Sequence, residues 1–235
     1  MSLLRQRDAV SMEIVVVNDG STDETGAILQ KMAQTHQEIK VIEVENGGVT
    51  RARNLGLQHM SADADLVSFL DADDLSPQGR LANDVKLFEQ DPELDLVYSA
   101  VQFFRDMDPD NLCPAEGSDT LDIKTIQLGA CVAKASLIRK LNGFDEGFIQ
   151  SEDTDFLLRM WEREPKYIIS DNIGVYYRQH NVSLTSDRRV VIREFCRALL
   201  QSSKRRKNMT SDYLFPKGIF DLTTIRDNPE WMKPR

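Results

Sequence analysis

The sequence predicts an α/β protein: a mostly parallel sheet covered by helices. Short β-branched apolar runs alternate with helix-periodic segments, and each run ends in turn residues rich in Asp, Asn and Gly. With 235 residues, the chain is long enough for one large domain with a core and a C-terminal extension.

Taken in order, MEIVVV (12–17) is a continuous apolar run closed by Asn18-Asp19-Gly20, the pattern of a buried strand followed by a turn. STDE (21–24) has capping-box spacing and predicts a helix that turns Ala27, Ile28, Met32 and Ala33 inward. KVIEV (40–44) reads as the next strand. Gly47-Gly48 breaks it before a helix over 50–60 with Ala52, Leu55 and Met60 inward. DLVSFL (65–70) is a strand running into Asp71-Ala72-Asp73-Asp74, and a helix from Pro77 turns Leu81, Val85 and Phe88 inward. LDLVYSAVQFF (94–104) is strand-like, and the polar stretch 105–120 reads as a long surface loop. Beyond it lie an apolar segment over 126–135, a short helix from Ser136 to Leu141, a Gly/Phe loop over 142–149 and a helix over 151–163 stopped by Pro165. One or two strands around Gly174 follow, then an amphipathic helix over 187–207 burying Val191, Phe195, Leu199 and Leu200.

Composition excludes several classes. A net charge of −9 opposes nucleic-acid binding, which needs basic surface. No apolar run approaches the ~18 residues of a membrane span, and no signal-peptide pattern is present, so the expected location is cytoplasmic. Cys113, Cys131 and Cys196 form no CxxC pair and no zinc spacing, and read as structural thiols in a reducing compartment. The charge is uneven. Residues 188–207 carry eight basic side chains against the single acid Glu194, a net +7 that leaves −16 for the rest. That basic helix either covers the sheet with a solvated face or makes a weak peripheral contact with anionic lipid at the inner face of a membrane.

Four constellations carry chemistry. On an extended backbone Asp71 and Asp73 project to one face, and two hard carboxylates leave Mg²⁺ or Mn²⁺ with open positions for phosphate oxygens. The competing reading is a solvated acidic turn; an EF-hand is excluded because Ser76 and Ala82 stand at its Gly and Glu positions. Asn18, Asp19, Gly20 and Ser21 lie where open α/β sheets bind ligands, at the carboxyl end of a strand, though a plain turn and N-cap would also use them. Gly47-Gly48, with Arg53 behind them, suits close approach to phosphate, as well as an ordinary exposed helix start. Asp153, beside Glu152 at a helix start, would serve as a general base if it faces an acceptor, or simply complement the helix dipole.

Together these motifs resemble the family 2 glycosyltransferases over residues 11–186. The resemblance rests on VVVNDGSTDET (15–25), GGVTRARNLGL (47–57), FLDADD (69–74), NGFDEGF (142–148), SEDTDFLLR (151–159) and YRQHNVSLT (177–185). It implies a GT-A fold over 1–187, with 188–235 as a basic helix and tail. It further implies an inverting transfer from a nucleotide-diphosphate sugar, with a divalent cation, to a glycan or lipid-linked acceptor in surface polysaccharide or related glycan synthesis. Asp19 matches the base- or ribose-contacting carboxylate, Asp71 and Asp73 the D-x-D, and Asp153 the catalytic base. Arg53, Arg178 and His180 match positions facing the diphosphate. Two rivals remain: a crippled homologue that binds only nucleotide or a protein partner, and a sugar-1-phosphate nucleotidyltransferase, whose Gly-rich phosphate loop is not found.

The resemblance also implies a strand and a helix ahead of MEIVVV, where only Met1–Ser11 stand, reading as the end of that helix. The expectation is a sheet without its first strand, weak donor affinity, little or no transfer, and a homodimer formed by strand exchange or edge pairing.

Overall fold

The computed structural model describes residues 1–125, 127–179, 188–207, 222–228 and 231. β1 (Ile14–Asp19) runs parallel to β2 (Ile39–Val44), joined by α1 (Thr25–Thr35) and followed by α2 (Val49–Gln58). A second sheet holds β3 (Leu66–Ser68), β4 (Leu96–Phe104), β7 (Thr120–Ile123), β8 (Cys131–Lys134) and β9 (Tyr167–Arg178). α3 (Arg80–Gln90) lies between β3 and β4 in the chain, and β5 (Met107–Asp108) and β6 (Cys113–Pro114) form a small ribbon. α4 (Ala135–Arg139), α5 (Glu152–Trp161), α6 (Arg188–Arg206) and α7 (Leu222–Asp227) complete the elements.

The sheet is more mixed than the sequence predicts. β1–β2 and β4–β9 are parallel, whereas β3–β8, β4–β8 and β4–β7 are antiparallel. The segment after β4 carries the β5–β6 ribbon in place of a crossover helix, and a chain that folds straight back must pair antiparallel. β4 is the spine, pairing with β8 and then β7 along its length and with β9. Such a strand is buried on both faces, which explains why it is mostly apolar, with only Ser99 and Gln102 interrupting it. β9 bulges at Gly174, where an added Cβ would lie 2.7 Å from the Ser99 side chain and 3.2 Å from the Ala130 backbone.

The first βα unit is thinly covered. α1 buries no residue, and Ile28, expected inward, is 54% exposed. β1 is mostly half-buried, and no strand among the described residues pairs with its other edge, so α1 has only a narrow two-stranded surface to cover. The expected capping box does not form. Asp23 instead accepts from the Thr25 amide at 3.0 Å, and the helix starts there. Upstream, a short 3₁₀ turn at Leu4–Gln6 packs against the segment after the acidic turn. Gln6 donates to Ser76 Oγ at 2.9 Å and accepts from the Leu81 amide at 2.9 Å.

Two helices present faces other than those expected. α3 buries Arg80, Asp84 and Phe88, an i, i+4, i+8 row, and leaves Leu81 and Val85 half-buried. The Arg80–Asp84 pair (3.1 Å) supports that row, and Arg80 also donates to the Cys131 carbonyl at 3.3 Å. α6 turns Glu194, Ala198 and Ser202 inward, while Leu199 and Leu200 face out. Ion pairs with α5 set this rotation. Arg205 grips Glu162 at 2.6 and 3.0 Å and Asp155 at 3.0 Å, and Asp155 also holds Arg159 at 2.7 Å.

The core reaches the end of the sheet that leads into Asp71 through three rings. Phe144 stacks on Phe156 at 4.0 Å, and Phe69 meets both edge-on. Phe69 lies two residues before Asp71, Phe156 three after Asp153, and Arg53 sits over Phe144 at 5.8 Å. Packing of these rings therefore fixes the chain that presents the polar residues.

Candidate functional site

Asp71-Ala72-Asp73-Asp74 is a turn rather than extended backbone: the Asp74 amide donates to the Asp71 carbonyl at 3.1 Å. β3 ends at Ser68, so the argument from strand alternation does not apply to the two aspartates. They nonetheless share surroundings. Burial raises the Tyr177 phenol to about 12, and Asp74, Asp73, Asp71 and Asp153 all push it the same way. Arg53 ties Asp71 to the first turn of α5, where Asp153 lies.

Arg53 stands between the two segments. It donates to Asp71 Oδ1 at 2.7 Å and to Glu152 Oε1 at 2.5 Å, with its own side chain 13% exposed. Burial works against its charge, but Asp71, Asp153 and Glu152 outweigh burial and hold the guanidinium above its ordinary pKa. Burial raises the Asp153 carboxyl; Arg53 and the Thr154 amide, 2.6 Å away, pull it down, and Asp71 pushes it up. Glu152 is likewise raised, by burial first and then by Asp153.

Burial that raises a carboxylate is one way proteins prepare a general base, and here Arg53 opposes it. Ser151, at φ 61°, turns the chain into α5 and sets Glu152 and Asp153 at its first turn. Asp74 locks the acidic turn to β9. It accepts from the Arg178 amide and from Gln127, both at 3.1 Å, and Leu75 and Tyr176 exchange backbone bonds at 3.0 and 2.9 Å. Burial and the neighbouring Asp73 raise Asp74 to about 8.

Asp19 sits at the end of β1 and spans two amides: Gly47 donates to Oδ1 and Gly48 to Oδ2, each at 2.8 Å. These amides precede α2, so the carboxylate also complements that helix terminus. A carboxylate has about four lone-pair sites, which leaves two for a ligand. Asn18 is buried and accepts from the Ser21 amide at 3.1 Å, shaping the turn. Gly20 has φ 73°, and a Cβ there would lie 2.6 Å from the Asn46 amide. Ser21 is exposed, as is the Arg178 side chain, and His180 lies outside the described residues. Asn54 pins the NGFDE loop by accepting from the Phe144 amide at 2.7 Å and donating to its carbonyl at 3.1 Å.

Sequence reasoning missed Glu152 as the partner of Arg53, and it missed Asp74, Gln127 and Tyr177. The acidic doublet at 152–153 and the third acid of DADD were visible signals; nothing in the sequence pointed to Gln127. Among the described residues no group of three or more His, Cys, Asp or Glu side chains forms a metal cage. The donor set is instead two hard carboxylates: Asp71 with its side chain 42% exposed, and Asp73 exposed. That chemistry fits Mg²⁺ or Mn²⁺ sharing its coordination with a ligand.

The mixed α/β architecture, with Asp71 and Asp73 on the turn after β3 and Asp153 on the first turn of α5, is the GT-A fold of the solved glycosyltransferases it resembles. The chain belongs to glycosyl transferase family 2, whose model matches residues 1–140. It is 48% identical over 64 residues to the glycosyltransferase GlyA of Streptococcus pneumoniae, 27% of this chain and 9% of that protein. It is 26% identical over 224 residues to the minor teichoic acid biosynthesis protein GgaB of Bacillus subtilis, 90% of this chain and 23% of that protein. The chain therefore spans less than a quarter of the length of either relative. Among solved structures it is similar to the mannosyltransferase PcManGT of Pyrobaculum calidifontis in complex with GDP-Man and Mn²⁺. The TM-score is 0.60 at 19% identity, covering 98% of this chain and 63% of that one.

Proposed function

We propose that this chain is the donor-binding and catalytic part of an inverting glycosyltransferase. In this reading it transfers a sugar from a nucleoside diphosphate to an acceptor hydroxyl during synthesis of a surface polysaccharide or related glycan. The observation that carries the reading is Arg53 joining Asp71 to the first turn of α5, where Asp153 has a raised pKa. The likeness to GgaB, a teichoic acid biosynthesis protein, supports the glycan class.

Asp19 holds the base or ribose through the lone pairs its two amide donors leave free. Asp71 and Asp73 would hold the divalent cation, which supplies Lewis-acid neutralisation of the diphosphate. Arg53 leaves Asp71 in part to face the diphosphate, and the Arg178 side chain is exposed at the end of β9 to meet it from the other side. Asp153 accepts the acceptor hydroxyl's proton as that oxygen attacks the anomeric carbon opposite the leaving diphosphate. The bond from that carbon to the diphosphate oxygen breaks in the same displacement, so the anomeric centre inverts without a covalent enzyme intermediate.

A thermal-shift screen of nucleotide-diphosphate sugars, with and without Mn²⁺, tests the reading. Stabilisation by one donor class, larger with Mn²⁺, supports it. No shift with any donor contradicts it.

A further inference from the structure

The basic charge of residues 188–207 does not all face the same way. Arg197 and Arg205 are tied to the rest of the protein: Arg197 donates to the Gly147 carbonyl at 2.8 Å and lies 4.3 Å over the Phe148 ring, and Arg205 is bound to Glu162 and Asp155. With this side of α6 fixed against α5, the 100° step of a helix decides what points outward. Ile192, Cys196, Leu199 and Leu200 form that outward stripe, and Ile192, Leu199 and Leu200 are 53%, 39% and 63% exposed. They are three of the six large apolar residues exposed among the described residues. Arg193, with a side chain 63% exposed and its Nε donating to Glu194 at 2.9 Å, and the exposed Lys204 and Lys207 lie on the same outward side.

We infer that the outward face of α6 is a docking surface for an anionic lipid bilayer. An exposed apolar stripe costs free energy in water and marks a contact surface. Four side chains offer on the order of a few hundred Å², short of the ~1,000 Å² a specific protein interface needs. A second copy would bring the same basic face against itself. A bilayer surface has no such area requirement: apolar side chains enter the headgroup boundary, and each nearby Lys or Arg gains from anionic headgroups. The charge balance fixes the orientation. The outward face carries Arg193, Lys204 and Lys207 while the segment's single acid, Glu194, is buried, and residues outside 188–207 sum to −16, so an anionic surface attracts this face and repels the others.

Co-sedimentation of the full chain with vesicles tests this. With phosphatidylglycerol–phosphatidylcholine vesicles at about 0.1 M salt, binding should be at least about tenfold stronger than with phosphatidylcholine alone, and should fall steeply as salt rises. Ile192→Glu with Leu200→Glu should abolish it while the thermal midpoint is unchanged, because both side chains are exposed. Lys204→Glu with Lys207→Glu should weaken it severalfold. Three results would overturn the inference: no binding to anionic vesicles, equal binding to both vesicle types, or unchanged binding by the Ile192/Leu200 variant. A change in self-association in place of vesicle binding would overturn it in favour of a contact between copies.

Discussion

Arg53 and Glu152, 99 residues apart in sequence, meet at 2.5 Å, and the same guanidinium reaches Asp71 at 2.7 Å. One cation thus connects α2, the acidic turn and the start of α5. On the proposal that Arg53 faces the diphosphate, Arg53→Gln should weaken binding of a nucleoside diphosphate by at least about tenfold. It should also leave Glu152, with a side chain 8% exposed, without its cation and lower stability. Calorimetry and urea titration read the two effects separately.

The pH dependence follows from the raised Asp153 carboxyl. A base must be deprotonated to act, so activity falls as pH drops through its pKa. With that pKa raised by burial, the acid limb of kcat/KM should lie above the ordinary carboxylate range of about 4. Arg53 opposes the shift, so Arg53→Gln should move the limb higher still. A limb that stays at the ordinary carboxylate value in both proteins would remove Asp153 from the role.

Asp153→Asn keeps the size of the side chain and removes its basicity. In an active form of the protein, turnover should fall by roughly 10²-fold or more while donor affinity stays within a few-fold. Turnover close to that of the parent would leave Asp153 as a residue that only complements the α5 terminus.

The buried Arg80–Asp84 pair is a stability element remote from the chemistry, with side chains 3% and 4% exposed. Asp84→Ala strands a buried guanidinium and should cost about 3–5 kcal/mol in urea unfolding. A loss well under 1 kcal/mol would mean that water reaches Arg80.

The second edge of β1, which pairs with no strand among the described residues, predicts self-association, since such an edge is a template for pairing. The protein should show concentration-dependent mass by light scattering, and Val16→Lys should reduce it. A monomer at all concentrations would exclude pairing through this edge.

How much of this was legible in the sequence differs from element to element. β4 and the VVVNDGS turn were readable because a buried strand and a glycine turn each leave local signatures. Asp71, Asp73 and Asp153 stood out as acids at element ends. The inward face of α3 was misread because Arg80 and Asp84, taken singly, look like surface residues, and only their mutual pairing makes burial affordable. The outward face of α6 was misread for the converse reason: Leu199 and Leu200 fit an inward stripe until Arg205 fixes the rotation against Glu162 and Asp155. Asp74 and Gln127 meet across 53 residues, a contact with no local trace.

The central claim is that the acidic turn holds a donor diphosphate through a divalent cation. Calorimetric titration of UDP and GDP into the protein, in Mn²⁺ and in EDTA, tests it most directly. Binding of one nucleotide should be at least about tenfold tighter in Mn²⁺, and Asp73→Ala should erase most of that difference. Equal affinity in Mn²⁺ and EDTA would contradict the account.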